Sequence, residues 1–393
     1  MSSEAPECWS VKPLGEIADL IMGQSPPSSV VTESGAGLPF IQGNAEFGAR
    51  HPKPRFVASH APKVVQTGDI LISVRAPVGE VNIAEGPLCI GRGVGGIRAK
   101  NCDPDFLFYA VSGLSRIFAR LSQGSTFDAI NGKELRAIEI PLPPLDEQRR
   151  IATVLRSVDE AAAGNGAVLA KAAETFALLS DELLVANAQH TGEPIRLGDL
   201  IETLEAGVSV NSEGRSAASD EIGILKTSCV SAGYFEPTEH KTVLESERSR
   251  VRVPVSGDSI IISRMNTFEL VGANAFVDAD YADLYLPDRL WLLKTNSRVR
   301  VRWLAFYMKT AKFREQVISI ATGTSGSMKN ISKGRLNDLI VYVPDDQRQT
   351  EDIDALSAVE AALLAARKIK ASQQIAAAAL KSDLLSGRVR VPA

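Results

Sequence analysis

From Ile151 onward, apolar residues return at intervals of three, four or seven: Ile151, Val154, Val158, Ala162, Leu169, Ala172, Phe176, Leu179 and Leu183. That spacing keeps one face of a helix apolar and predicts a helix of roughly 40 residues, about 60 Å at 1.5 Å per residue. Its approach reads Pro141-Leu142-Pro143-Pro144-Leu145. The prolines fix an extended chain, and Pro144 keeps the residue before it out of helical geometry. Asp146 is expected to cap the first turn, with Glu147 adding negative charge at the positive end of the helix dipole. A stripe this long needs a partner. Ile353, Leu356, Val359, Leu363, Ala366, Ile369, Ala376, Leu380 and Leu384 supply one at similar spacing near the C-terminus.

Elsewhere the period changes. Val65 to Val74, Val78 to Ile83 and Leu88 to Ile97 are rich in β-branched residues and punctuated by Gly and Pro, which predicts strands of a compact mixed sheet. Phe40-Ile41 is a further short strand. Asp103 and Pro104 form a helix start, followed at helical spacing by Leu107, Val111, Leu114, Phe118 and Leu121. Ile138 to Leu142 closes the first half as a strand. The second half repeats the outline: strands near Ile222 to Lys226, Ser259 to Arg264 and Leu290 to Lys294, then a helix from Val301 to about Ile320.

The repetition extends to short motifs. Leu14-Gly15-Glu16-Ile17 matches Leu197-Gly198-Asp199-Leu200, and GDILISVR from Gly68 matches GDSIIISR from Gly257, which sets Arg75 against Arg264. Gly124-Ser125-Thr126 answers Gly323-Thr324-Ser325, and Ser180-Asp181 answers Ser382-Asp383. VYVPDDQR, from Val341 to Arg348, is read as a degraded copy of the proline motif with one residue fewer. The shared order of these matches identifies a duplicated domain, not a solenoid.

With 393 residues, 45% of them hydrophobic, the chain can bury two cores. No apolar run reaches 18 residues and no signal-peptide pattern opens the chain, so a soluble cytoplasmic protein without a membrane partner is expected. Cys8, Cys89, Cys102 and Cys229 have no metal-ligand spacing, the four histidines are scattered, and no metal site is expected. The net charge of −4 is unevenly placed. Acids gather in the long helices. Arg50, Lys53, Arg55, Lys63, Arg75, Arg92, Arg98 and Lys100 instead make the segment from Arg50 to Lys100 basic, a distribution that raises nucleic-acid binding as a candidate.

Gly91 to Gly96 fits GxGxxG in letters only. Strand residues follow it where a dinucleotide fingerprint needs a helix, so a tight β-turn is expected and no cofactor. No nucleophile elbow, P-loop or HExxH is present, and the carboxylate pairs Asp345/Asp346 and Asp103/Asp105 sit at helix starts, where capping explains them. No catalytic residue is assigned. The loops GSTFDAINGKEL from Gly124 and GTSGSMKNISKGRL from Gly323 are rich in hydroxyl, amide and lysine groups suited to phosphates and base edges.

The stretch Gly124 to Glu160, GSTFDAINGKELRAIEIPLPPLDEQRRIATVLRSVDE, resembles the specificity subunits of type I restriction-modification systems. MGQSPPSS (Met22 to Ser29) and LLSGRVRV (Leu384 to Val391) do so as well. The resemblance implies an α+β chain with two globular target recognition domains of mixed sheet and helices, related by a pseudo-two-fold duplication. Two long helices packed as an antiparallel coiled coil separate them. The expected boundaries are 1–145 and 195–344 for the recognition domains, 146–187 and 345–386 for the spacer helices, 188–194 for a linker and 387–393 for a tail. It further implies a non-catalytic subunit that reads a bipartite, asymmetric sequence in double-stranded DNA and docks methyltransferase (modification) subunits, with restriction (nuclease) subunits left open. The acidic balance fits, since partners can supply phosphate neutralisation. Candidate DNA contacts are Arg75, Arg92, Ser125, Thr126, Asn131 and Lys133 in the first half, and Lys226, Arg264, Asn266, Ser327, Lys329 and Asn330 in the second. A coiled-coil scaffold for proteins and a stand-alone DNA-binding regulator remain the other two classes open to this sequence.

Overall fold

The computed structural model describes Pro6 and residues 8–114, 118, 129–323 and 328–391. The chain divides into two compact units, Met1–Gly166 with Ile369–Ala393, and Ala167–Lys368. Both are α+β, and each is built on two sheets and a set of helices.

In the first unit the strands are β1 (Ser10–Pro13), β2 (Ala18–Met22), β3 (Val31–Thr32), β4 (Leu38–Ile41), β5 (Phe56–Ala58), β6 (Val64–Val65), β7 (Ile70–Ser73), β8 (Val81–Ile83), β9 (Leu88–Ile90), β10 (Val94–Ala99) and β11 (Glu139–Leu142). An inner sheet has the order β2-β10-β7-β8, an outer sheet β3-β5-β4-β9-β6, and β1 pairs with β11. Ile70, Ile72 and Ile97 turn one face of the inner sheet onto helix α2 (Pro104–Ser112), where Phe106, Leu107 and Val111 are fully buried. Asp103 caps α2 by accepting the Phe106 N–H at 2.9 Å, with Pro104 at the first helical position. Helix α1 (Leu14–Ile17) packs on α3 (Gly132–Ala137).

The second unit uses β12 (Glu193–Arg196), β13 (Ile201–Ala206), β14 (Ser212–Glu213), β15 (Gly223–Leu225), β16 (His240–Val243), β17 (Pro254–Val255), β18 (Ser259–Ser263), β19 (Met265–Asn266), β20 (Asn274–Val277), β21 (Tyr281–Tyr285), β22 (Leu290–Thr295), β23 (Lys329–Asn330) and β24 (Ile340–Val343). The orders β13-β22-β18-β20 and β14-β16-β15-β21-β17 reproduce the two sheets of the first unit, and β12-β24 reproduces β1-β11. Even the single parallel pair of each outer sheet recurs: Phe40 opposite Cys89, and Ile224 opposite Tyr285. The duplication expected from the motifs is therefore a duplication of topology.

Two long helices cross the division between units. Helix α4 is Leu145–Asp181, prolonged by a π-helical turn over Glu182–Ala186 and by α5 (Asn187–Thr191). Residues 188–191 are thus a last helical turn rather than a connection. In the second unit come α6 (Val301–Tyr307), α7 (Ala311–Ile320), α8 (Lys333–Asn337) and finally α9 (Asp346–Ser386), the second long helix. Within the first unit the two run antiparallel. Asn165 donates to Gln373 at 2.8 Å, while nearer the opposite end of this segment Glu147 meets Arg390. Within the second, Phe176, Leu179 and Leu183 of the α4 run pack into the core that holds Leu356 of α9.

Hydrogen bonds correct three details of the sequence reading. Val74 N–H donates to Gly93 O at 2.9 Å, and Arg264 N–H donates to Arg289 O at 3.0 Å. Ile130 and Ile331 then donate to the carbonyls of Val74 and Arg264 respectively. Arg264 therefore corresponds to Val74, not to Arg75, because the second copy carries one more residue before this strand end. Nor is the second proline motif shorter. Gln148 Nε2 donates to Pro143 O and Gln349 Nε2 to Pro344 O, so LPPLDEQR aligns with VPDDQRQT without a gap. Finally, Asp146 does not cap α4. Pro144 stands at that position, its carbonyl accepting from Glu147 and Gln148. In the second copy Asp345 does cap, accepting from Arg348 N–H at 2.8 Å.

Candidate nucleic-acid interface

The chemistry follows from what pairing leaves unspent. Of the eight cations between Arg50 and Lys100, four are committed to acids: Arg50 to Asp105 at 2.8 Å, Arg55 to the buried Glu46 at 3.1 Å, Arg98 to the buried Asp69 at 2.6 Å and Lys100 to Asp19 at 2.5 Å. The Asp69 carboxylate holds Arg98 above its ordinary pKa by accepting from both Nε and Nη2. Lys53, Lys63, Arg75 and Arg92 have no ion pair among the described residues. The basic stretch thus carries about half the outward charge its composition suggests.

Arg75 and Arg92 lie at one end of the first unit's sheets. Arg75 is exposed beyond β7 and forms a backbone bridge with Ala129. Arg92 is exposed in the tight turn between β9 and β10, as the glycine spacing predicts, and its N–H donates to Ser25 Oγ at 3.2 Å. Gln42, whose Oε1 accepts from Ser25 Oγ at 3.0 Å, and Asn44 continue this polar rim. Glycine is required beside it: a Cβ on Gly23 would lie 2.1 Å from the Gly91 oxygen, and one on Gly207, the corresponding residue, 1.6 Å from the Leu286 oxygen. Asn131 is the N-cap of α3, its Oδ1 accepting from Lys133 N–H and Glu134 N–H, so that oxygen is already used. Lys133 is exposed in the first turn of α3. Ser125, Thr126 and Ser327 lie outside the described residues.

The second unit gathers its candidates more tightly. Arg264 Nε donates to Asp288 O at 2.6 Å, and Asp288 in turn accepts from Ser209 Oγ. Beyond β18, β19 and β23 pair Asn266 with Lys329 and Met265 with Asn330. Asn266 donates to Ser263 Oγ at 3.2 Å and Lys329 Nζ to Gly323 O at 3.0 Å, whereas the Oδ1 of Asn330 is buried without a hydrogen-bond partner among the described residues. Lys226 sits 3.3 Å from Glu239. The Ser228 hydroxyl and the Lys226 ammonium together hold the Glu239 carboxyl below the usual carboxylate range.

Sequence reasoning missed the residues that complete this patch. Ser209, Ser212, Lys226, Thr227, Lys241 and Arg289 line an open cleft of about 430 Å³. Lys241 and Arg289 are exposed and have no acid partner among the described residues. Ile224 pairs with Lys241 as Phe40 pairs with Phe56, and Leu290 follows Arg289 as Val94 follows Gly93. Phe56 and Gly93 therefore stand where the second unit has cations. No local motif marks Lys241 or Arg289; only alignment of the two units by backbone pairing finds them. Hydroxyls beside unpaired cations suit contacts to phosphate, and a free guanidinium suits a bidentate contact to guanine.

Among the described residues no group of three or more His, Cys, Asp or Glu side chains is placed to hold a metal, and no helix is long and apolar enough to cross a membrane. Burial pushes the Cys229 thiol up to about 12 and the Cys102 thiol up to about 11.

Residues 6–169 match the profile of the type I restriction modification DNA specificity domain. The chain is 49% identical over 161 residues to a Methanocaldococcus jannaschii chain named as the type I restriction enzyme MjaX specificity subunit, covering 40% of this chain and 38% of that one. It is 31% identical over 167 residues to the MjaIX specificity subunit of the same organism, covering 39% of each. Across nearly its whole length, 98% of this chain and 97% of the other, it shares the fold of the crystal structure of a type I restriction-modification S subunit from M. genitalium, with a TM-score of 0.61 at 17% identity.

By the profile match, the first unit holds a type I restriction modification DNA specificity domain. The sequence matches to the M. jannaschii specificity subunits span under two-fifths of those relatives' own length. The profile match takes in β1 to β11 and the first part of α4, up to residue 169. The second unit lies outside that profile match and shares only its fold with the M. genitalium S subunit.

Proposed function

We propose that the chain is the non-catalytic specificity subunit of a cytoplasmic type I complex, reading a bipartite, asymmetric sequence in duplex DNA and docking methyltransferase subunits. Residues 1–145 and 195–344 act as the two recognition domains, 146–187 and 345–386 as spacer helices, and 387–393 as a tail. The observation that carries this reading is one topology built twice, with different residues at equivalent strand ends. Gln42, Phe56 and Gly93 in one unit answer Lys226, Lys241 and Arg289 in the other. Identical frames with unlike crowns read unlike half-sites, because base edges are discriminated by side-chain donors and acceptors while the frame sets only their placement. Arg75, Arg92, Lys226, Arg264, Asn266 and Lys329 are the contacts this reading favours, joined by Lys241 and Arg289.

The test is to map methylated adenines in cells with and without this gene. Methylation at a split motif that disappears with the gene is the expected result. An unchanged methylation pattern overturns the reading. Binding by the assembled complex should weaken in Arg75→Ala and Arg264→Ala, and unchanged affinity at physiological salt would remove that residue from the interface.

A further inference from the structure

In both units the loop that follows the parallel strand of the outer sheet is linked to a long helix, through α2 in the first unit and directly in the second, and with unrelated side chains. In the first unit this loop joins β4 to β5 and carries Arg50. Its Nη2 donates to Asp105 Oδ1 at 2.8 Å, its Nη1 donates to Tyr109 Oη at 3.1 Å, and its guanidinium lies 4.7 Å from the centre of the Phe108 ring. Asp105 and Tyr109 belong to α2, and both pass the contact on to α4. Arg156 donates to Asp105, and Tyr109 Oη donates to Asp159 Oδ2 at 2.8 Å. In the second unit the loop joins β15 to β16, and the contact is direct. Arg367 of α9 donates through Nη1 to Ala232 O at 3.3 Å and lies 5.3 Å from the centre of the Tyr234 ring.

The same junction is therefore bridged twice by different chemistry. In the first unit the arginine stands on the loop and the acceptors on the helices; in the second the arginine stands on the helix and its acceptor on the loop. Two copies of one fold drift apart freely where contacts only fill space. A junction rebuilt with new residues marks a requirement on geometry. Each bridge also has the properties of a rigid spacer, a planar guanidinium held by hydrogen bonds and an aromatic face, which fixes angle as well as distance.

Resting on the proposed reading of split DNA sites, we propose that Arg50 and Arg367 are positioning residues that hold each outer sheet at a set angle to its long helix and thereby fix the number of base pairs accepted between the half-sites. A sheet free to tilt against its helix would admit neighbouring gap lengths without losing the side chains that read each half-site.

The experiment uses the full chain assembled with its methyltransferase subunits. Duplexes selected by the wild-type complex are rebuilt with the gap lengthened or shortened by one base pair, and affinity is measured for each. Arg50→Ala and Arg367→Ala are each expected to lower discrimination between correct and altered gaps by about tenfold, the size of effect typical of one imperfect site position. Affinity at the correct gap and the unfolding midpoint should change little. Arg50→Lys and Arg367→Lys, which keep charge but lose the planar fork, should fall between. Unchanged gap preference in both alanine variants overturns the proposal, as does an equal loss at every gap accompanying a lower unfolding midpoint, which would make the bridges merely stabilising. If the wild-type complex shows no preference for a split site, the functional reading fails first and takes this inference with it.

Discussion

The two units share one device and invert another. In both, a buried glutamine clamps the start of a long helix to the start of a shorter one: Gln148 Oε1 accepts from Asp103 N–H and Gln349 Oε1 accepts from Arg300 N–H, each at 2.8 Å, while each Nε2 donates to a proline carbonyl. Two residues into the shorter helix the units diverge. Asp105 pairs with Arg50 and Arg156, whereas Arg302 pairs with Glu360 at 2.5 Å, an acceptor shared with Lys309 at 2.8 Å. Lys309 is held below its ordinary pKa chiefly by burial. A buried backbone N–H has few possible partners, so the amide is retained; an ion pair needs only opposite signs, so its polarity can reverse.

A second contrast concerns carboxylates under tryptophans. Trp9 Nε1 donates to Glu147 at 3.2 Å and Trp303 Nε1 donates to Asp352 at 3.1 Å. Arg390 closes on Glu147 through two hydrogen bonds and holds its carboxyl below the usual range. Burial instead raises the Asp352 carboxyl and outweighs the lowering effect of the Trp303 hydrogen bond and of Arg348, which stands 3.0 Å from its Oδ1. The same indole contact thus accompanies opposite titration.

The largest effect is expected where the units agree. Gln148→Ala and Gln349→Ala each strand a buried N–H and a carbonyl and should cost about 3 kcal/mol. Denaturant unfolding measures the loss, and hydrogen exchange should localise it to the altered unit. A cost near zero at either site would break the equivalence of the two clamps.

Where the units differ, a smaller and one-sided effect follows. Glu147→Gln should destabilise the chain by about 2 kcal/mol at neutral pH, whereas Asp352→Asn should be close to neutral. The signs follow from the shifts. The lowered Glu147 value gives stability that is present above the ordinary glutamate range and lost as pH falls through the folded value. The raised Asp352 value gives stability that is present in acid and lost as pH rises through its folded value. Unfolding measured from acid to neutral pH checks both, and a matching response of the two variants would remove the contrast.

The smallest effect sharpens the difference between the crowns. Lys241→Gln and Arg289→Gln should each make DNA binding by the assembled complex less dependent on salt, the log–log slope falling by about 0.9 for every phosphate no longer neutralised. Substitution of Phe56 by Gln, at the position answering Lys241, should leave the slope unchanged. Equal slopes in all three would show that the cleft of the second unit does not face phosphate.

Much of this was legible in the residues. The long helices, the capped start at Asp103, the turn at Arg92 and the doubled plan all rest on local spacing, and the structure contains each of them. The candidate contacts were less legible. Asn131 reads as a DNA-contacting amide but spends its oxygen on a helix cap, and Arg50 reads as surface charge but meets an aspartate 55 residues away. Arg75 and Arg264 look paired in the letters and are offset by one in the sheets. Lys241 and Arg289, unremarkable in sequence, come together only when β16 and the turn before β22 line one cleft.

Order, period and punctuation along the chain were enough to determine that one module occurs twice, each followed by a long amphipathic helix, since apolar periodicity and proline restraint act over a few residues at a time. Which residues correspond between the copies, and which cations remain unpaired, was decided only by the tertiary structure. Strand register and ion pairing depend on partners distant in the chain, and a single added residue before a strand end reassigns every side chain beyond it.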